Sequence, residues 1–346
     1  MRIVFMGTPD FSVPTLQRLV EAGHDVAAVV TQPDKPKGRG KEMQMTPVKQ
    51  QALAYGIPVY QPAKVREEGF VQVLRELKAD VFVVIAFGQI LPKSVLELPA
   101  CGCVNIHASL LPKYRGAAPI QWCVINGEKE TGITTMMMDA GLDTGDMLEK
   151  AVVPIGEKET GGSLHDKLSK AGGPLILSTL RKLEEGTLVP VPQTEEGTCY
   201  ARMLTKSLGD IDWSKSAVSI ERLIRGLNPW PSAYTCWNGK TIKIWAADVI
   251  AGQDERTLIS EAGECPGSAG KSATPAPACA EKSAAPAPAC GSIVHADRHS
   301  LVVKTGHGLL SVRELQMEGK KRMDIEAFLR GYPISAGDVF VKKESD

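Results

Sequence analysis

The amino-acid sequence predicts an α/β fold: a Rossmann-like domain with an open parallel sheet, followed by a small, OB-like β-barrel domain. Apolar, strand-like segments alternate with amphipathic helical segments over residues 1–190. After residue 190 the pattern changes to short strands joined by turns, which is typical of small barrels. The length of 346 residues also favours two hydrophobic cores. We therefore expect a first domain at 1–190, a linker at 191–208 and a barrel domain at 209–346.

The strands and helices of the first domain follow from apolar runs and from helix start and stop signals. Ser12 and Thr46 precede helical segments as N-caps, and Gly23 and Gly56 end them. The run VFVVIAF at 81–87 is apolar throughout, as expected for a strand that is buried on both faces. The predicted strands are 2–7, 25–31, 58–61, 81–87, 101–108, 132–139 and 148–155. The predicted helices are 12–23, 46–56, 67–79, 118–127 and 162–186.

The second domain is predicted to contain one helix and several hairpins. The helix is expected at 217–227, and Asn238-Gly239 between alternating β-formers is typical of a tight hairpin turn. A further pair of strands is expected within 300–316.

A low-complexity insertion interrupts this domain at 268–291. The segment SATPAPAC at 272–279 recurs as SAAPAPAC at 283–290. Alternating Pro and Ala cannot form a core, so the insertion is predicted to be a solvated loop with polyproline character. Its cysteines, Cys279 and Cys290, could pair or bind a metal ion, but a tandem duplication in a permissive loop explains them better.

Composition excludes several classes of protein. Lys and Arg total 40, as do Asp and Glu, so no net charge attracts nucleic acid or a membrane, and a polyanion would have to be bound by local basic clusters. The longest apolar run is too short to span a bilayer, and the first residues do not resemble a signal peptide. A cytoplasmic protein with no membrane partner is therefore expected. Cys101 and Cys103 lack a second pair for zinc and are interpreted as core thiols.

Asn105 and His107 are the first candidate functional residues. Side chains alternate across a strand, so both point to the same face, near the carboxyl end of a strand in the predicted sheet. Open α/β sheets bind their ligands at that edge. The alternative is a structural histidine that is hydrogen-bonded to the following loop.

A second polar loop, MMMDAGLDTGDML at 136–148, carries Asp139, Asp143 and Asp146. A carboxylate metal site was the first possibility, but the spacing does not match a calcium loop, and no metal is expected. A single carboxylate beside His107 fits better, because it would favour the charged imidazolium and fix the orientation of the ring. An amide, an imidazolium and a carboxylate without a nucleophile can stabilise an oxyanion while two bound substrates exchange an acyl group.

Four segments of the chain resemble the signature segments of the folate-dependent formyltransferases. They are GTPDFSVPTL (7–16), TQPDKPKGRGK (31–41), NIHASLLPKYRGAAPIQ (105–121) and GLDTGDML (141–148). The likeness extends from Arg2 to the segment LQMEGKKRMDIEAFLRG at 315–331. The basic segment and the appended barrel are similar to the branch of the family that acts on tRNA. The insertion at 268–291 has no counterpart in the family pattern.

The resemblance implies a reaction and a set of site residues. The formyl group of 10-formyltetrahydrofolate would pass to the α-amine of methionine esterified to initiator tRNA, leaving tetrahydrofolate, and the enzyme would be a monomer. Asn105, His107 and Asp143 would be the catalytic residues. The residues implied in folate binding are Ser109, Leu110, Leu111, Pro112, Phe87, Gln89 and Ile90.

The loop at 34–45 is the predicted contact with tRNA. Lys37, Arg39 and Lys41 lie in it with two glycines, and they would bind phosphates and the end of the acceptor stem. Charge clusters of this kind are more often plain solvated loops. Two other functions stay open at this point. One is a formyltransferase for a small amine such as glycinamide ribonucleotide, and the other is a non-catalytic RNA- or folate-binding module.

Overall fold

The computed structural model describes residues 1–37, 40, 42–250 and 288–343, and it divides the chain into two compact units. Unit 1 is Met1–Leu204 and unit 2 is Thr205–Asp346. The division lies after Leu204. Part of the segment predicted as a linker is hydrogen-bonded to unit 1: Val191 exchanges backbone hydrogen bonds with Met147, and residues 199–201 pair with residues 115–118.

Unit 1 is built on a seven-stranded sheet. Its strands, and those of two small paired elements, are β1 (Arg2–Gly7), β2 (Asp25–Val30), β3 (Lys35–Lys37), β4 (Glu42–Gln44), β5 (Val59–Tyr60), β6 (Val81–Ile85), β7 (Cys103–His107), β8 (Arg115–Gly116), β9 (Glu130–Met137), β10 (Met147–Pro154) and β11 (Tyr200–Ala201). The order in the large sheet is β10-β9-β7-β6-β1-β2-β5. The α/β prediction is confirmed, but the sheet is not wholly parallel. Strand β9 is antiparallel to β7, and β10 is antiparallel to β9, because β9 and β10 form a hairpin joined by a short loop.

Six α-helices surround this sheet. They are α1 (Val13–Glu21), α2 (Pro47–Ala54), α3 (Glu68–Glu76), α4 (Lys93–Leu96), α5 (Pro119–Asn126) and α6 (Gly161–Glu184). Thr46 caps α2 as predicted, accepting a hydrogen bond from the Lys49 amide. Ser12 does not cap α1 with its side chain; its hydroxyl donates to the carbonyl of Ile85 and so fastens the start of α1 to the end of β6. Within the described residues, every helix is too short or too polar to cross a membrane.

The described residues of unit 2 form an antiparallel sheet and two helices. Its elements are α7 (Ala217–Gly226), β12 (Ala233–Trp237), β13 (Lys240–Ile250), β14 (Ile293–Ala296), β15 (Leu301–Lys304), β16 (Leu309–Met317), β17 (Met323–Asp324) and α8 (Ile325–Gly331). The strand order is β12-β13-β16-β15-β14, with β17 paired to β16. The predicted hairpin turn is confirmed, since Asn238 and Gly239 both have positive φ, 48° and 73°.

The last described segment joins the two edges of this sheet. Val341 bridges Cys236 on β12, and Val339 bridges Ser292 just before β14. Pairing at both edges closes the sheet, as a small barrel requires. The Pro/Ala insertion falls between β13 and β14, and residues 251–287, including Cys279, lie outside the described residues.

A partly buried ion pair joins the long helix to the edge of the sheet. Glu149 on β10 accepts hydrogen bonds from Lys182 at 2.5 Å, from Thr179 at 2.7 Å and from Ser178 at 3.0 Å. Burial acts to raise the pKa of Glu149, but these hydrogen bonds outweigh it and hold the pKa below its ordinary value. The carboxylate form therefore stabilises the packing of α6 on β10.

The substitution Glu149→Gln should lower the free energy of unfolding at pH 7 by about 1 to 3 kcal/mol, since it removes a charge-assisted contact and keeps the volume. The folded-state pKa is depressed, so the stabilisation is present above the unfolded pKa of about 4.3 and is lost as the pH falls through the folded value. Urea unfolding of both proteins between pH 7 and about pH 2 measures this. The substitution Glu130→Gln, at an exposed position on β9, is the control. A stability difference that does not shrink between about pH 4 and pH 2 would contradict the assignment.

Candidate active site

A cavity of about 540 Å³ opens on one face of the sheet of unit 1. Its floor comes from three neighbouring strands, because Val84, Asn105 and Met136 are aligned across β6, β7 and β9. Its other walls are the segment after β1, the loop after β6, the start of α5 and the loop between β9 and β10. The cavity thus lies near the carboxyl ends of the parallel strands, where the sequence analysis placed the site.

His107 is the last residue of β7 and is only 6% exposed. Its Nε2 lies 2.9 Å from the carbonyl oxygen of Tyr114. A carbonyl can only accept, so Nε2 carries a hydrogen and the orientation of the ring is fixed. The other ring nitrogen, Nδ1, faces Asp143 with 3.6 Å between it and Oδ2.

Asp143 lies in the loop that joins β9 to β10. Its φ of 54° places it in the left-handed region, which asparagine and aspartate enter more readily than most residues. Its Oδ2 accepts a hydrogen bond of 2.8 Å from the amide of Gly116. The same oxygen therefore contacts a backbone donor on one side and the imidazole on the other.

The other two acidic residues of this loop do not reach His107. Asp139 accepts hydrogen bonds from the amide of Gly141 and the hydroxyl of Thr144, so it holds the loop together. Asp146 is exposed. No group of three or more His, Cys, Asp or Glu side chains suited to a metal ion occurs in the part of the chain that the structure describes.

Asn105 is half-buried and lines the cavity. Its side chain makes no hydrogen bond to any described residue, in contrast to His107 and Asp143. A half-buried amide without a protein partner is available to bind a ligand. The structure therefore brings the three predicted catalytic residues to one cavity.

Three of the residues implied in folate binding line this cavity in different ways. Ile90 is 87% exposed on its rim. Gln89 turns its amide away, accepting a hydrogen bond from Val65 and donating to Pro62. Phe87 packs its ring into the core and contributes mainly backbone, with its carbonyl accepting from the Thr8 hydroxyl.

The other four, Ser109, Leu110, Leu111 and Pro112, do not line the cavity. The Ser109 hydroxyl donates to the carbonyl of Lys113, and Leu111 is buried in the protein. Leu110 and Pro112 are half-buried, and the four residues form part of the turn between His107 and Tyr114. Their role in folate binding stays a prediction.

The basic loop at 34–45 contains a small hairpin, since β3 pairs with β4. Lys49 anchors the base of this hairpin by contacting Asp34 at 2.5 Å and Gln61 at 2.7 Å. Hydrogen bonds from Lys49, and then from Gln61, lower the pKa of Asp34. Arg39 and Lys41 lie outside the described residues, as does the side chain of Lys37.

The sequence analysis did not identify one wall of the cavity. Phe11 and His165 line it together, with 5.1 Å between their ring centroids. His165 lies on α6, where its Nδ1 contacts Asp166 at 3.0 Å and its Nε2 faces Asp10 at 3.7 Å. Nothing local marks this histidine, because it is far in sequence from the other site residues and is brought to them only by the packing of α6.

The chemistry available in the cavity is hydrogen bonding and proton transfer. Its described lining residues include no Ser, Thr, Cys or Lys. The nearby thiol of Cys103 is also unsuited to attack, because burial raises its pKa to about 12. The arrangement can polarise a bound carbonyl with Asn105 and carry charge on the His107–Asp143 pair.

Comparison with known proteins places both units in one family. Residues 1–180 match the family model described as formyl transferase, and residues 203–333 match the model described as formyl transferase, C-terminal domain.

Similar proteins match nearly the whole chain. A protein of Agathobacter rectalis named methionyl-tRNA formyltransferase is 53% identical over 98% of this chain and 99% of its own length. One of the same name from Geotalea uraniireducens is 48% identical over 99% of each chain. Among solved structures, the sugar 3N-formyl transferase WlaRD, crystallised in the presence of dTDP and 5-N-formyl-THF, has a TM-score of 0.62. It is 18% identical and covers 93% of this chain and 99% of its own, so it supports the fold.

Proposed function

The chain belongs to the formyl transferase family, and we propose that it transfers the formyl group of 10-formyltetrahydrofolate to the α-amine of methionine on initiator tRNA. The product is the formylmethionyl-tRNA used to start translation. One observation carries this function: relatives named methionyl-tRNA formyltransferase are 46–53% identical to the chain over almost its whole length, and so match both units. A formyltransferase for a small amine is not favoured, because these full-length relatives are named for a tRNA substrate.

The cavity suits a folate donor. Its volume of about 540 Å³ lies within the usual range for small-molecule sites. Two of its lining side chains, Ile90 and Leu142, are apolar yet 87% and 60% exposed, and an aromatic ring that packs between them would bury both. The polar residues Asn105, His107 and Asp143 lie deeper and would face the formyl group.

The roles of these three residues follow from their contacts. The amide of Asn105 has no hydrogen-bond partner among the described residues, and it donates to the formyl oxygen as negative charge develops there. The ring of His107 is fixed through Nε2, and its Nδ1 faces the carboxylate of Asp143, so the two groups lie together beside the formyl group.

The transfer forms a bond between the amine nitrogen and the formyl carbon and breaks the bond from that carbon to the folate nitrogen. One proton leaves the amine and one reaches the folate nitrogen. His107 and Asp143 lie beside Asn105, and together with a water at the carboxylate they would carry the proton from the amine to the folate nitrogen. No covalent enzyme intermediate is needed.

Initiator tRNA is bound by the basic loop and by unit 2 in this proposal. The loop at 34–45 leaves unit 1 after β2, from a base anchored by Lys49 and Asp34, and its cations would contact the acceptor stem. In this proposal the enzyme is a monomer and acts in the cytoplasm.

A direct assay tests the function. The purified protein, supplied with 10-formyltetrahydrofolate and methionyl initiator tRNA, should give formylmethionyl-tRNA and tetrahydrofolate in equal amounts. Glycinamide ribonucleotide as acceptor is the control for the small-amine alternative. Turnover of the small amine without turnover of the charged tRNA would contradict the proposal.

Replacing the three site residues should abolish most turnover. We expect Asn105→Ala to lower kcat by about 10²- to 10³-fold, the usual cost of one oxyanion donor, and His107→Ala and Asp143→Ala to lower it by similar or larger factors. Steady-state kinetics and thermal unfolding measure activity and folding separately. A His107→Ala variant that keeps nearly full kcat would remove that residue from the mechanism.

The basic loop should control the choice of tRNA. Arg39→Ala is expected to raise KM for tRNA and to lower kcat/KM steeply, because Arg39 is the best stacking and bidentate group of the loop, and it should leave folate binding unchanged. Lys37→Ala and Lys41→Ala, the matched comparisons, should mainly flatten the salt dependence. Kinetics on initiator tRNAs with weak and strong terminal base pairs measure the discrimination. Equal discrimination by Arg39→Ala and the parent would argue against the loop.

A further inference from the structure

We propose that Gln193 is a positioning residue for Asp143, and that buried Arg115 holds Gln193 in place. The inference rests on the proposed function, because it concerns the same site. Gln193 does not line the cavity, so its side chain is not expected to touch the reacting groups. It would act through the loop that carries the catalytic carboxylate.

The side chain of Gln193 binds this loop at two points. Its Nε2 donates to the carbonyl oxygens of Asp143 and Gly145, each at 2.8 Å. Its Oε1 accepts a hydrogen bond of 3.0 Å from Nε of Arg115. Both N–H donors of the amide are therefore used on the loop, and its acceptor is used on the arginine.

The loop needs such support. Asp143 has positive φ, a conformation that is unfavourable for a non-glycine residue unless its surroundings hold it. Gly141 and Leu142 just before it are exposed. The hydrogen bonds of Asp139 to Gly141 and Thr144 join the loop to itself and do not attach it to the rest of unit 1.

Arg115 determines which way the Gln193 amide points. Its side chain is only 1% exposed, and it pairs with Glu195 at 3.1 Å. Burial acts to lower the pKa of the guanidinium, but the contacts with Glu195 and Tyr200 together outweigh it and raise the pKa. A guanidinium has no acceptor, so it must face the amide oxygen, and the amide nitrogen must then face the loop.

Arg115 is also adjacent in the chain to the second contact of Asp143. The amide of Gly116, the next residue, donates to Asp143 Oδ2. The backbone carbonyl and the side-chain carboxylate of Asp143 are thus both held by the neighbourhood of β8, one through Gln193 and the other directly. Loss of Gln193 should let the carboxylate move away from His107, without removing any group that binds substrate.

The substitution Gln193→Glu separates the contact of this side chain with Arg115 from its contacts with the loop of Asp143. It keeps an acceptor for Arg115 but replaces both N–H donors by an oxygen that faces two carbonyls. We expect kcat to fall by about 10- to 100-fold, because a displacement of about 1 Å in a catalytic group is enough for such a loss. KM for tRNA and for folate should stay within about twofold of the parent. Gln193→Met is a second variant for the case that the glutamate variant folds poorly. Its side chain has a similar size and forms none of these hydrogen bonds, so kcat should again fall while both KM values stay unchanged.

Two measurements distinguish positioning from general stability. Hydrogen exchange at the amide of Gly116 should speed up in both variants, since its acceptor Asp143 moves. In an Asp143→Ala background, Gln193→Met should cause no further loss of kcat, because the group it positions is absent. Thr194→Ala, in the same segment, loses only a hydrogen bond to the Glu196 carbonyl and is the control for both measurements.

The proposal is overturned if both Gln193 variants keep kcat within twofold of the parent. A double variant in which the loss of kcat from Gln193→Met adds fully to that from Asp143→Ala would also overturn the proposal. Unchanged hydrogen exchange at the Gly116 amide in the Gln193 variants would do the same. The exchange experiment uses no substrate. If the parent protein does not formylate methionyl-tRNA but exchange at Gly116 is faster in the Gln193 variants, the proposed function is wrong and the positioning contact is still supported.

Discussion

The site depends on one short stretch of backbone, Tyr114 to Gly116, which binds both members of the His107–Asp143 pair. The carbonyl of Tyr114 accepts from the imidazole, and the amide of Gly116 donates to the carboxylate. This stretch is itself held, because β8 pairs with β11. Backbone groups in a paired strand cannot reorient freely, so the imidazole and the carboxylate are in position before a substrate binds. Preorganised charges of this kind stabilise a developing oxyanion most effectively.

The reversal of the sheet at β9 explains why so much structure supports Asp143. Strand β9 runs antiparallel to β7, so it ends beside the start of β7 and the loop must fold back toward His107. Space there is tight, since a first side-chain carbon on Gly145 would lie 1.7 Å from the Met137 carbonyl oxygen. Asp143 adopts a left-handed conformation that is unfavourable by itself. Local strain at functional sites persists where the surroundings determine it, as the contacts to Asp143 do here.

The comparisons and the geometry answer different questions about the molecule. Relatives of similar length are named for a tRNA substrate. The two units of the chain match the two formyl transferase family models. The cavity brings together an amide that has no partner among the described residues and a fixed imidazole–carboxylate pair, which are the groups that the proposed transfer without a nucleophile uses. Together they describe an enzyme that holds two substrates in contact and stabilises the charge that develops between them.

The sequence by itself determined the α/β domain, the barrel with its Asn238-Gly239 hairpin, and the pairing of Asn105 with His107 on one face of a strand. These features follow from local periodicity and turn chemistry. Only the tertiary structure decided that Asp143, and not Asp139 or Asp146, reaches His107, that His165 lines the cavity, and that Gln193 contacts the loop of Asp143. Those outcomes depend on strand direction and on contacts between residues distant in the chain. No local pattern encodes them, because a one-dimensional period does not specify which loop folds back over which strand.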